Sequence, residues 1–115
     1  MTEAERKIAD IIWQKGCITT SDLAKICTEK YQWKTTTTYT LVTRLKKKNY
    51  VISDNNGLKM SVNRDEYLEN EARNIIFDDF GGSLPVFVNA FTGKGKLSKE
   101  DIRELQEIID RYKEL

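Results

Sequence analysis

The 115-residue sequence predicts a mainly α fold with one small β-wing, laid out in two parts, residues 1–63 and 64–115. Three observations lead there. Apolar residues recur at helical spacing in six stretches, four of them opened by Ser or Thr. Two short alternating runs, Tyr50 to Asp54 and Leu58 to Val62, flank Asn55-Asn56-Gly57, the composition of a hairpin turn. The charge also changes sign along the chain. Residues 1–63 carry 11 Lys and Arg against 6 Asp and Glu, net +5, whereas residues 64–115 carry 8 against 12, net −4. A basic half points to a polyanionic partner, and an acidic half to a different task.

Each element has its own signal. Thr2 is placed to cap the first helix, with Glu5 three residues on at capping-box spacing. Ala4, Ile8, Ile11, Ile12 and Trp13 make its apolar stripe, and Gly16 ends it. Cys17-Ile18-Thr19 reads as a short extended piece. Thr20 or Ser21 is expected to cap a second helix, Asp22 to about Lys30, with Leu23, Ala24, Ile26 and Cys27 inward. Tyr31-Gln32-Trp33 leads to the third helix, with Trp33 as a core anchor.

The third helix, from Lys34 to Lys48, is the stretch around which the chain is organised. Thr38, Leu41, Val42 and Leu45 fall on one face. The other presents Lys34, Thr36, Thr37, Tyr39, Thr40, Thr43, Arg44 and Lys47, with no carboxylate. Four successive threonines at a helix start are costly, because β-branching restricts χ1. Short hydroxyls flanked by cations suit base edges and phosphates. With the hairpin after it, the order helix, short strand, helix, helix, hairpin is that of a winged helix-turn-helix. Its third helix would enter the major groove of double-stranded DNA, and Asn56 and Lys59 of the wing would lie on the backbone. The competing reading is a protein-interaction module whose third helix docks a partner protein. The cation-only face argues against it, since interface cores are depleted in charge.

Beyond residue 63 a fourth helix is expected from about Asp65 to Phe80, with Tyr67, Leu68, Ala72, Ile75, Ile76 and Phe80 in register and Gly81-Gly82 as its end. Ser83 then caps Leu84 to Phe91, with Pro85 early in the helix where its missing N–H costs little. That segment is apolar nearly all round, so it should be buried on several sides. Thr92-Gly93-Lys94-Gly95-Lys96 reads as a loop. The last helix, Ser98 to Leu115, carries Ile102, Leu105, Ile108, Ile109 and Tyr112 in a stripe. Three short helices cannot hide this much apolar surface alone. Leu68, Ile75, Ile76, Phe80, Leu84, Phe87, Phe91, Ile102, Leu105, Ile108, Ile109 and Tyr112 are therefore expected to meet a second copy, making residues 64–115 a dimerisation domain. A two-fold dimer would place two third helices on half-sites ~34–36 Å apart.

Several classes are disfavoured. The chain has no histidine, the commonest general base and metal ligand. Cys17 and Cys27 cannot make a four-ligand zinc site alone, and are expected as small buried residues in a reducing compartment. No nucleotide-binding or nucleophile-elbow motif is present. No export segment and no apolar run of about 20 residues is found, so a cytoplasmic protein with no membrane insertion, no catalytic residues and no cofactor is expected.

Thr2-Glu3-Ala4-Glu5, Ile11-Ile12-Trp13, then Trp33 with Thr37-x-Tyr39-Thr40-Leu41-Val42-Thr43-Arg44-Leu45 and Lys47-Lys48, resemble the penicillinase repressor family of bacteria. That family includes β-lactamase, methicillin-resistance and copper-transport repressors. The resemblance extends to Leu97-Ser98-Lys99-Glu100-Asp101-Ile102-x-Glu104-Leu105. It implies a dimeric repressor that binds a palindromic operator and releases it on a signal. In the β-lactam branch, release follows cleavage at an Asn-Phe pair downstream of a membrane-bound sensor protease. Here the corresponding stretch is Val88-Asn89-Ala90-Phe91, which places the candidate cleavage at Ala90-Phe91 and departs from the pattern by Ala90. The copper branch binds metal through C-terminal Cys-x-Cys motifs, and this chain has no cysteine after Cys27.

Overall fold

The computed structural model describes all of residues 1–115. Its elements run α1 (Glu3–Lys15), α2 (Thr20–Tyr31), α3 (Thr35–Lys47), β1 (Val51–Asp54), β2 (Gly57–Met60), α4 (Arg64–Asp79), α5 (Leu84–Thr92) and α6 (Lys99–Lys113). This is the mainly α chain with a two-stranded antiparallel wing that the sequence predicts. The chain divides into two compact units, Met1–Glu69 and Asn70–Leu115.

In the first unit the local chemistry sets the helix ends. The Thr2 hydroxyl accepts from the Glu5 N–H at 3.2 Å, and the Thr2 N–H donates to Glu5 Oε1 at 3.1 Å, a complete capping box. The cap of α2 is Thr19, not Thr20 or Ser21: its Oγ1 accepts from the Asp22 N–H at 3.1 Å. Thr19 is held extended because Ile18 beside it pairs with Leu58, Ile18 N–H to Leu58 O at 3.1 Å and Leu58 N–H to Ile18 O at 2.7 Å. The chain therefore enters α2 from a single-residue bridge to the two-stranded wing. Gly57 makes this approach possible. Its φ is +129°, and a Cβ there would stand 2.6 Å from the Ile18 carbonyl oxygen.

Ile8, Ile12, Leu23, Cys27, Leu41, Val42 and Leu45 from the three helices meet Val51 and Leu58 from the wing in one core. Trp33 packs against this core half-buried, its ring centroid 5.0 Å from that of Tyr31. Cys27 is buried, and burial pushes its thiol up. Cys17, expected inside as well, is only half-buried just past the end of α1, and both cysteines are free. Thr38 is buried, its hydroxyl turned towards the Cys27 thiol. Asn63 Oδ1 accepts from the Glu66 N–H at 2.8 Å and starts α4. The first turn of α4 belongs to this core through Tyr67, whose ring lies 5.5 Å from Trp13 and 6.0 Å from Tyr50.

One buried charge ties the first turn of α1 to the end of α3. Lys48 Nζ, just past α3, reaches the fully buried Glu5 carboxylate at 2.8 and 2.9 Å. Burial pushes the Glu5 carboxyl up, but the Lys48 ammonium and the Thr2 amide and hydroxyl outweigh it and hold the group at about 2. A carboxylate lowered in this way stabilises the fold fully above the ordinary pKa of 4.5 and loses that contribution as pH falls towards about 2. Because Lys48 is half exposed, screening trims the contribution to about 1–3 kcal/mol. Glu5→Gln should therefore melt lower than wild type at pH 7, with the two curves converging at pH 2. Equal melting temperatures at pH 7 would show the pair to be idle.

In the second unit, Gly81 and Gly82 take φ +60° and +80° and close α4, the Gly82 N–H donating to Ile76 O at 2.9 Å. Ser83 caps α5 and Ser98 caps α6, accepting from Val86 and Asp101 N–H at 3.2 and 3.0 Å. Phe87 stands edge-on to Phe80 at 5.3 Å and stacks with Phe91 at 6.4 Å. The expectation that α5 is buried on several sides does not hold within one chain: neither α5 nor α6 contains a single buried residue. Intrachain packing covers only part of the apolar girth of α5, since a nine-residue helix has just two neighbours in this unit to lie against.

Candidate nucleic-acid interface

The α3 helix is amphipathic in a particular sense. Thr38, Leu41, Val42 and Leu45 are buried in the core and fix its rotation. Everything else on it is therefore outside: Thr35, Thr36, Thr37, Tyr39, Thr40, Thr43, Arg44, Lys46 and Lys47 are all exposed, as is the N-cap residue Lys34. Thr36, Thr37, Thr40 and Arg44 gather around one shallow depression of 230 Å³. The Thr43 hydroxyl is less available, since it donates to the Tyr39 carbonyl at 3.0 Å. The N-cap, Lys34, makes no side-chain capping bond, and the first turn holds no acid. The positive end of the helix dipole is thus left to an outside anion.

Counting lysines overstates the charge on offer. In the run Lys46-Lys47-Lys48 the last cation is engaged by Glu5, while Arg44, Lys46 and Lys47 make no ion pair. Lys46 joins the free cations of this face, though periodicity alone gave it no place among them. On the wing, Lys59 bonds Asp54 across the strands at 2.7 Å, which holds the Asp54 carboxyl low and the Lys59 ammonium high. Asp54 Oδ1 also accepts from the Asn56 N–H at 2.8 Å, so the tip is a closed turn with Asn56 exposed. A phosphate there would meet a neutralised lysine.

The α2 helix adds what sequence reading missed. A groove of 350 Å³ runs between α2 and the start of α3, with Ser21, Lys25, Thr28 and Glu29 on one side and Thr35 and Tyr39 on the other. Nothing in the pattern of α2 signals this, because the juxtaposition comes from how the two helices cross.

The residues expected at a second copy are distributed as follows. Leu68, Ile76, Phe80 and Phe87 are half-buried, while Ile75, Leu84, Leu105, Ile108 and Ile109 are exposed, with Phe91 and Tyr112 each 72% accessible and Ile102 53%. An apolar groove between α5 and α6 is lined by Phe87, Val88, Phe91, Leu97, Leu105 and Ile108. Ala90 and Phe91 lie in the last turn of α5, exposed, and the helix ends at Thr92. No helix is long and apolar enough to cross a membrane.

A helix-turn-helix, a paired wing and a third helix with an acid-free, cationic outer face are the parts of a winged-helix transcriptional regulator. The chain belongs to the penicillinase repressor family, which it matches over residues 1–111. It is 25% identical over 117 residues to the penicillinase repressor of Bacillus licheniformis, across 98% of this chain and 91% of that one. It is 26% identical over 115 residues to the methicillin resistance regulatory protein MecI of Staphylococcus aureus, across 96% and 94%. An uncharacterized 16.5 kDa protein of Latilactobacillus sakei is 26% identical over 113 residues, across 95% and 77%. The family is one of transcriptional repressors, which are not enzymes.

Proposed function

We propose that two copies of this chain bind a palindromic operator in bacterial DNA, each placing α3 in the major groove and its wing against the backbone, and so repress the genes beside it. The observation that carries this reading is the cluster of Thr36, Thr37, Thr40 and Arg44 on the exposed face of a helix that holds no acid. Hydroxyls there reach bases or phosphates, and Arg44 can take a guanine edge with two parallel hydrogen bonds. Arg44→Ala should cost about 1–3 kcal/mol on the operator and much less on random DNA. Equal weakening on both would reduce Arg44 to a phosphate contact, and no weakening would remove it from the interface.

The second copy is supported by the uncovered apolar faces of α5 and α6. Burying a large apolar side chain is worth ~1.5–3 kcal/mol, so a shared interface formed from them would be strongly favoured. Release by a sensor-linked protease at Ala90-Phe91 is the proposed switch. The bond lies at the end of a short helix beside a Gly-rich loop, where a protease reaches backbone most readily. Exposing the host to a cell-wall antibiotic and following the chain by mass should give a fragment ending near Ala90 as repression lifts. Derepression with the chain intact would rule this switch out.

A further inference from the structure

The groove between α2 and α3 lies on the flank of the proposed DNA-reading helix, and its lining has a polarity of its own. Lys25 lines it and makes no ion pair. Ser21 and Thr35 border the same space, and neither hydroxyl is engaged in a hydrogen bond within the chain. Thr28 is committed: its hydroxyl donates to the Trp33 carbonyl at 2.9 Å and so fixes the linker that sets α3 against α2. Tyr39 lines the groove and also stands on the outer face of α3, 45% accessible, so the two surfaces are continuous. The one carboxylate, Glu29, is a turn beyond Lys25 on α2, and Ser21 a turn before it. An anion is therefore drawn to the Ser21–Lys25 end and repelled from the Glu29 end.

We propose that this end of the groove is a backbone clamp: Lys25, with the Ser21 and Thr35 hydroxyls, holds one phosphate of the strand bordering the major groove that α3 occupies. The dimensions agree. A helix with its side chains is about 10–12 Å across and the major groove about 12 Å wide. A helix seated there brings its flanks onto the bordering phosphates. The clamp rests on the DNA-binding reading and adds a function to it: it sets how α3 is registered along the duplex without reading sequence, which is the part phosphate contacts play.

The test is a salt titration of full-length wild type, Lys25→Gln and Glu29→Gln on operator and on random duplex, with thermal melting of each variant. Lys25→Gln should flatten the plot of log affinity against log salt by about 0.9 for each phosphate no longer neutralised, and weaken both duplexes by the same factor. Glu29→Gln should tighten both duplexes by the same factor, a gain that a purely structural role for α2 would not produce. Unchanged slope and affinity for Lys25→Gln with wild type bound, or loss of preference for operator over random DNA, would overturn the clamp alone. Wild type that binds neither duplex would overturn the DNA-binding reading beneath it.

Discussion

Ile109→Asp should convert the protein to a monomer and weaken its hold on a full palindrome by ~10²–10⁴-fold, while leaving its weak affinity for a single half-site unchanged. The loss is large although the substitution touches no residue of the DNA-reading face. Ile109 lies on the apolar stripe of α6, 49% accessible in one chain and covered in the proposed dimer. A carboxylate buried there without a partner costs several kcal/mol, more than a small interface can absorb. Once the copies part, the second half-site is no longer presented at the high effective concentration that a linked partner gives it. Sedimentation and operator titration on the same sample read both effects. A variant that stays dimeric, or a monomer that holds the full palindrome as tightly as wild type, would contradict the architecture. Phe91→Asp, on the other apolar helix, should behave in the same way.

The second large effect is that of salt. Each copy offers Lys34, Arg44, Lys46 and Lys47 unpaired around α3. If a dimer neutralises roughly 6–10 phosphates, its affinity should drop by ~10³–10⁵ between about 50 and 200 mM salt. Lys47→Ala should flatten the slope by about 0.9 for each phosphate it leaves, once per copy, with sequence preference intact. Lys48→Ala is the informative control. Its charge is directed inward to Glu5, so the slope should hardly move while the melting temperature falls. Binding that ignores salt altogether would favour a protein-interaction module over a repressor.

These contrasts mark where sequence reasoning stops. The rotation of α3 was legible because one apolar residue per turn suffices to orient a helix, and Thr38, Leu41, Val42 and Leu45 supply it. The capping box at Thr2 and the cap at Ser83 were legible because they are local chemistry. The start of α2 was not, because Thr19 is held extended by the bridge from Ile18 to Leu58, far along the chain in the wing. The state of the lysines was not either. Glu5 and Lys48 are 43 residues apart, and no period connects them. Lys59 looks free along the strand and is paired across it. The Lys25 groove is likewise a product of helix crossing. In each case the missing information is a meeting of separate elements, which a one-dimensional pattern does not carry.

The absence of any buried residue in α5 and α6 has a consequence in time. The first 69 residues enclose their own core, so their folding should be a first-order event that does not wait on a second chain. In the proposed dimer the apolar faces that follow would find cover only when two chains meet, a second-order event whose pace rises with the amount of protein already made. In a cell beginning with few copies, the reading surface would thus be complete well before the paired form that grips a palindrome. After an episode of induction, restoration of silence would lag behind synthesis of the repressor, and the lag would shorten as the pool refills.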